Sequence, residues 1–195
     1  MYVLAALNGR GVICSSQRFG CKLGVMDAFG DKDCLFSAAF WRHIGTSFPD
    51  QIGIDSKKFL KSLSVFKLNG FKGLVIGSGF EGKYDVLRKA NEILPLYANS
   101  LSVFKGFENP TLFFETLKLL DIPFPPVNLL ADSFKGLRSD WILKDLGSSG
   151  GRGIKKPFGR KSKNSQYYQK QLSGTAVSLS FFADGRIFAP LGYSR

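Results

Sequence analysis

The apolar positions change period along the chain. Over the first hundred residues, short continuous apolar runs alternate with stretches that repeat every three to four residues. Tyr2 to Leu7 is apolar, closes on Asn8-Gly9, and predicts a buried strand. Arg10 to Phe19 predicts a helix, with Gly20 suited to the left-handed position past its end. Lys22 to Met26 predicts a second strand, with Asp27 at its carboxyl end. Asp31 can cap a helix running to about Trp41, and His43 to Ser47 gives a weak strand. Asp55 caps a further helix over 56–67, where Phe59, Leu60, Leu63 and Phe66 recur at helical spacing. Gly73 to Ile76 is a strand, Lys83 to Leu94 a helix and Leu96 to Ala98 a short strand. This order predicts an α/β fold: an open parallel sheet with helices on both faces.

The rhythm then changes. Pro110 suits the first turn of a helix running to Leu120. Ile122-Pro123-Phe124-Pro125-Pro126 is too proline-rich for a helix or a central strand and reads as a stiff connector near a domain boundary. Strands are expected at Trp141–Asp145, Tyr167–Leu172, Ala176–Ala183 and Arg186–Ala189, the last two joined by the tight turn Asp184-Gly185. The expected division is a Rossmann-like α/β domain over 1–108 and a small α+β lobe with antiparallel strands over 109–195. No internal repeat is visible.

Composition narrows the class. Of 195 residues, 44% are hydrophobic and 22% charged, which excludes a disordered chain. The net charge of +12 fits a polyanionic ligand, but the basic residues are scattered, and their densest stretch is Arg152 to Lys163. With three cysteines, one histidine and no CxxC, a Cys/His zinc site is excluded and no metal ligand is assigned. Cys14 and Cys21, seven apart on the first helix, would lie about 10 Å from each other, too far for a disulfide. Buried free thiols in a reducing compartment are expected. The N-terminal apolar run is short and lacks a charged flank, and no segment reaches the ~20 apolar residues of a membrane span. A cytoplasmic protein without a membrane partner is the expectation.

Two glycine clusters could carry chemistry. Trp141 to Asp145 delivers Lys144 and runs into Leu146-Gly147-Ser148-Ser149-Gly150-Gly151-Arg152-Gly153. Glycines let backbone N–H groups converge on an anion, serine hydroxyls add donors, and Lys144 can reach phosphate oxygens. The lysine precedes the glycines, so this is not the P-loop order. The plainer alternative is a hairpin loop beside a surface lysine. The second cluster, Gly77-Ser78-Gly79-Phe80-Glu81-Gly82, matches G-x-G-x-x-G, but the strand after it ends near Asn99 rather than at an acidic residue. The first strand's Asn8-Gly9-Arg10-Gly11 has Asp27 at the right distance but Cys14 where the third glycine belongs. These turns read as tight strand-to-helix connections rather than as an NAD or flavin site.

Taken in order, six stretches resemble the ATP-grasp superfamily. They are Met26-Asp27-Ala28-Phe29-Gly30-Asp31-Lys32-Asp33, Gly77-Ser78-Gly79-Phe80-Glu81, Tyr97-Ala98-Asn99-Ser100, Ile122-Pro123-Phe124-Pro125, Lys144 through Gly153, and Gln169 through Gly174. Within it they resemble a subgroup of ATP-utilising enzymes, some linked to tetrahydromethanopterin-dependent one-carbon metabolism. The resemblance implies an α/β domain, a small nucleotide-binding lobe and a larger C-terminal lobe. It implies a ligase that activates a carboxylate as an acylphosphate and passes it to an amine, thiol or similar nucleophile. The cofactor would be ATP with Mg2+, whose family ligands lie in the C-terminal lobe, and no part of this sequence matches them.

By that resemblance Lys144 would contact the α- and β-phosphates. Ser148, Ser149, Gly150, Gly151, Arg152 and Gly153 would form the loop over the β- and γ-phosphates. Gln169, Lys170, Gln171 and Leu172 would be the hinge against adenine, and Gly9, Gly77, Ser78, Gly79 and Glu81 would face the substrate cleft. Catalytic residues are not assigned. The chain departs from the family in carrying Lys170 where a hinge glutamate is common. A second family lysine is replaced near Glu108-Asn109-Pro110, unless Lys105 serves instead.

The leading reading is therefore the N-terminal, ATP-binding portion of such a ligase, unable to complete the reaction alone. Its partners would be ATP and a small carboxylate, and a homodimer is compatible with it. One alternative is a truncated, non-catalytic module that binds a nucleotide or a partner. Another is a basic nucleic-acid binder using Arg152, Lys155, Lys156, Arg160, Lys161 and Lys163. Few aromatics lie beside that run (Phe158, Tyr167, Tyr168) and no DNA or RNA motif is present, which argues against it.

Overall fold

The structure is a computed structural model that describes residues 1–46, 52–129, 139–148, 150–151, 153–157 and 165–195. It divides into two compact units: Met1–Ile122 with Leu146–Arg152, and Pro123–Asp145 with Gly153–Arg195.

The first unit is built on strands β1 (Tyr2–Ala5), β2 (Leu23–Asp27), β3 (Phe40–His43), β4 (Gly73–Ile76) and β5 (Leu96–Tyr97). They pair in the order β3-β2-β1-β4-β5, and every pair is parallel. Between them run α1 (Arg10–Arg18), α2 (Lys32–Ser37), α3 (Ser56–Leu68) and α4 (Tyr84–Ile93), followed by α5 (Leu101–Glu108) and α6 (Pro110–Leu119). One sheet face buries Ile13 of α1 and Cys34 of α2 with Val25. The other buries Phe59, Leu63 and Phe66 of α3 and Leu87 and Ala90 of α4 against Val3, Ala5, Met26 and Leu74. The helical spacing of the α3 apolar residues thus becomes the larger core. Phe66 packs edge-on to Phe40 and Phe71, each at 4.9 Å between centroids. A Cβ on Gly24 would lie 2.4 Å from the Phe66 ring, so only glycine lets α3 approach β2 this closely.

Local signals explain most boundaries. The Asp55 carboxylate accepts from the Lys57 and Lys58 amides at the start of α3. Asn109 caps α6 in the same way, with Pro110 in its first turn. Gly20 and Gly70 take left-handed backbone past the ends of α1 and α3.

Several expectations are corrected. α2 stops at Ser37 instead of reaching Trp41, because Ala38 turns to extended backbone (φ −75°, ψ 135°) and Phe40–His43 pairs with β2 as an edge strand. Aromatic Phe40 and Trp41 suit a half-buried pleated surface better than a helix end. Asp31 stands at the start of α2 without a side-chain cap bond. Cys21 lies beyond the end of α1, and of the three free thiols only Cys34 is buried. The sequence pattern does not predict α5, which carries Gly106 and buries no residue fully.

In the second unit, β6 (Val127–Asn128), β7 (Trp141–Asp145), β8 (Ile154–Lys155) and β9 (Gln166–Lys170) form an antiparallel sheet ordered β6-β9-β7-β8. β10 (Ser178–Ala183) and β11 (Phe188–Ser194) form a separate antiparallel hairpin. The single small sheet expected here is therefore two sheets, and β11 starts at Phe188 rather than at Arg186. The Asp184 carboxylate accepts from the Arg186 and Ile187 amides and fixes the four-residue connection. Among the described residues, no helix is long and apolar enough to cross a membrane.

Candidate nucleotide-binding site

In the second unit, the register of three strands decides which side chains share a face. β7 pairs with β9 so that Leu143 faces Tyr168, Lys144 faces Tyr167, and Ile142 faces Gln169. Leu143 and Tyr168 are fully buried on one side. Alternation then puts Ile142, Lys144, Tyr167 and Gln169 on the other side, joined by Val127 and Ile154 from the neighbouring strands. On that face the Lys144 ammonium donates to Gln169 Oε1 at 3.2 Å and lies 5.9 Å from the Tyr167 ring centroid. A cation is thus held among half-buried apolar side chains with a neutral amide as its partner.

The glycine-rich turn follows Lys144 by two residues. Its base is closed by Asp145, whose amide donates to the Gly153 carbonyl at 3.2 Å. The Asp145 carboxylate accepts from Gln166 and from Lys155, the latter at 3.2 Å. Gly150, Gly151 and Gly153 all have positive φ. A Cβ on Gly153 would lie 2.7 Å from Asp145 Oδ2, so glycine is required there by space as well as by φ. Turns built from such residues can offer backbone amides to an anion. Ser149 and Arg152 lie outside the described residues, as do Arg160, Lys161 and Lys163 of the basic run.

At the end of β9, the residues expected to form the hinge separate. Lys170 faces away from Lys144 and forms an ion pair with Asp140 at 3.6 Å. Lys156 donates to Gln171 Oε1 at 2.6 Å, and Leu172 is 61% exposed. The Lys170 and Gln171 amides donate to the Pro126 and Asp140 carbonyls. The side chain beside Lys144 is therefore Gln169, and Lys170 stands on the other face.

In the first unit, the sheet order reverses between β1 and β4, where open parallel sheets form a ligand crevice beyond the strand ends. Gly9 and Ser78 stand at those two ends, tied together by the Leu7 amide donating to the Ser78 carbonyl at 2.7 Å. The Gly77 amide donates to Ala5, and the Gly79 amide donates to its neighbour Glu81 at 2.8 Å. Arg10 forms an ion pair with Asp33 at 2.5 Å at the same end of the sheet, and its guanidinium holds the Asp33 carboxyl below the usual range. Glu108 accepts from the Gly82 amide at 2.6 Å, and its carboxylate lies 3.9 Å from where a Gly147 Cβ would be. Burial, then the bond to Glu108, pushes the Tyr84 hydroxyl up. Lys105, one turn before Glu108, has its ammonium 5.9 Å from the Tyr84 ring centroid.

Sequence reasoning misses three features of this arrangement. Asp145, Glu108 and the buried Asp27 each have at least one partner ten or more residues away. Only the position of Asp145, directly before the glycines, hints at its role. Among the described residues, no group of three or more His, Cys, Asp or Glu could hold a metal ion.

No protein-family model matches the chain, and no curated protein matches it either. Solved structures do. An L-amino acid ligase from Bacillus licheniformis superposes with a TM-score of 0.66 at 13% identity, over 98% of this chain and 49% of its own. N5-carboxyaminoimidazole ribonucleotide synthetase from Thermus thermophilus gives 0.64 at 13% identity, over 99% and 53%. The corresponding Staphylococcus aureus synthetase, complexed with ADP, gives 0.63 at 16% identity, over 98% and 53%. These are ATP-grasp enzymes, and the chain has their fold. At these identities the likeness establishes the fold alone. The chain spans about half the length of the structures it matches.

Proposed function

We propose that the chain is the nucleotide-binding part of an ATP-dependent carboxylate ligase. The observation that carries this reading is the Lys144–Gln169 pair on an open sheet face, with a glycine-rich turn leaving the same strand two residues later. In this reading residues 1–108 form the domain that precedes the grasp and 109–195 the small lobe. Lys144 neutralises the α- and β-phosphates, and the amides of Gly150, Gly151 and Gly153 follow the β- and γ-phosphates. Phosphoryl transfer is mainly positioning and charge neutralisation, which is what these groups can supply. The carboxylate substrate sits in the crevice beyond β1 and β4, near Gly9, Ser78 and Glu81, and becomes an acylphosphate that an amine or similar nucleophile attacks.

Mg2+ would accompany ATP; among the described residues no group of three or more His, Cys, Asp or Glu gathers at one place, and no residue is assigned to it. The same Lys144–Gln169 arrangement also suits a non-catalytic nucleotide-binding module. The test is ATP binding by calorimetry with the chain and its Lys144→Ala variant. The expected result is a loss of affinity of about tenfold or more with unchanged circular dichroism, because a charge-assisted phosphate contact is lost. Unchanged affinity would remove the site.

A further inference from the structure

Glu108, at the end of α5, has its two carboxylate oxygens on different elements. Oε1 accepts from the Gly82 amide at 2.6 Å, in the turn between β4 and α4. Oε2 faces Gly147, 3.9 Å from where a Cβ would stand, two residues past the end of β7. The Tyr84 hydroxyl, at the start of α4, is a further partner of the same carboxylate. These contacts lie inside one unit, because Leu146–Arg152 belongs with the first unit. Glu108 therefore joins the crevice turn to the glycine-rich turn. Among the described residues, no cation forms an ion pair with it. Lys105, on the same helix, has its ammonium 5.9 Å from the Tyr84 ring centroid instead. Gly150 is three residues past Gly147, within about 11 Å of it by chain reach alone. Over such a distance, comparable with the Debye length of about 8 Å, two anions still repel each other. α5 buries no residue fully, so its end can shift at little packing cost.

We infer that Glu108 is a charge gate on the glycine-rich turn: an anion arriving there drives the carboxylate off Gly82, so that binding at one turn loosens the other. The inference rests on the nucleotide-binding reading above, which supplies the anion. The coupling is reciprocal, so whatever holds Glu108 on Gly82 weakens anion binding by the same factor. Glu81 lies in the loosened turn, where it accepts from the Gly79 amide at 2.8 Å. The side chains offered to the crevice therefore depend on whether the glycine-rich turn is occupied.

The test is calorimetric titration of the whole chain, and of Glu108→Gln and Glu108→Ala, with ATP, while NMR follows the Gly82 amide. Glutamine keeps the length and the acceptor for Gly82 and removes only the charge. Glu108→Gln is expected to bind ATP about fivefold or more tightly than wild type. That ratio should fall toward one as salt rises from about 0.05 M to about 0.5 M, because screening removes a charge effect and leaves a packing effect in place. In the wild-type chain, saturating ATP should move the Gly82 amide signal toward its position in Glu108→Ala, where the acceptor is gone. Equal affinities of Glu108→Gln and wild type, or a Gly82 signal unmoved by bound ATP, would overturn the gate while leaving the nucleotide site standing. Binding of ATP by none of the three folded proteins would overturn both.

Discussion

The buried carboxylate of Asp27 accepts from the Gly9 amide at 3.2 Å, although the two residues are 18 apart in the chain. The same carboxylate takes the Gly30 amide at 3.0 Å, the Trp41 indole N–H at 2.9 Å and the Cys34 thiol at 3.7 Å. One side chain at the end of β2 therefore ties down the β1–α1 turn, the β2–α2 turn and β3. It also places an internal carboxylate against the amide that starts α1. Asp27→Ala strands three N–H donors, and each buried orphan costs about 1–3 kcal/mol. The expected loss is about 3–5 kcal/mol of unfolding free energy by chemical denaturation, against about 1 kcal/mol for Trp41→Phe. A loss below about 1 kcal/mol for Asp27→Ala would mean that water satisfies these groups.

The cysteines should label in a fixed order. Burial and then the Asp27 charge push the Cys34 thiol up to about 12, so at neutral pH it is neutral as well as buried. Cys21 is exposed and Cys14 intermediate. Iodoacetamide at about pH 8 should modify Cys21 first and Cys14 second, with Cys34 reacting only after unfolding. Peptide mass mapping reads the order, and early Cys34 labelling would contradict the packing of α2 on β2.

The cap of α3 gives a pH signature. The amides of Lys58 and Lys57 hold the Asp55 carboxyl below its ordinary value. A group whose folded value is depressed contributes stability above the unfolded value, about 4, and loses it as pH falls through the folded value. Asp55→Ala should cost about 1 kcal/mol at neutral pH. The difference from wild type should shrink as pH falls below about 4. Denaturation curves at about pH 7 and about pH 3 measure it, and a difference that grew on acidification would reverse the sign argued here.

Two glycines of the turn after β7 separate backbone strain from crowding. Gly150 and Gly153 both have left-handed backbone, at φ 61° and 73°. A Cβ on Gly150 meets nothing within 4 Å, whereas one on Gly153 meets the Asp145 carboxylate at 2.7 Å. Gly150→Ala should cost about 1 kcal/mol, the left-handed penalty alone. Gly153→Ala should cost more and also disturb the Asp145 clamp, lowering nucleotide affinity. Equal effects of the two substitutions would show that the clamp does not shape the turn.

What the sequence makes legible depends on distance along the chain. The α/β order of the first unit is legible because Phe59, Leu63 and Phe66 sit at helical spacing and β1, β2 and β4 are short apolar runs. β3 is misplaced because Ala38 and Ala39 continue a helical composition, and only pairing with β2 makes Phe40–His43 a strand. Lys144 and the glycines are legible as neighbours in sequence. Its bond to Gln169, 25 residues away, depends on the β7–β9 register and is invisible locally. Alternation along β9 already separates the adjacent Gln169 and Lys170, and the register decides which of the two shares the face of Lys144.

The β10–β11 hairpin exposes a contrast in local stability. Its register puts Leu179, Phe181, Phe188 and Tyr193 on one face, with Phe181 and Phe188 rings 5.1 Å apart. Those side chains are 37%, 55%, 57% and 78% exposed, and no residue of either strand is buried. A two-stranded sheet that buries nothing gains only its hydrogen bonds and cross-strand contacts, and is marginal in water. β1, by contrast, lies between β2 and β4 with Val3, Leu4 and Ala5 buried. Amide hydrogen exchange should therefore find 178–194 opening with a free energy near zero while β1 exchanges only with global unfolding. Protection of the hairpin equal to that of β1 would require a cover over the Phe181 and Phe188 face. Concentration dependence of that protection would identify the cover as a second copy, and its absence would assign the cover to the same polypeptide.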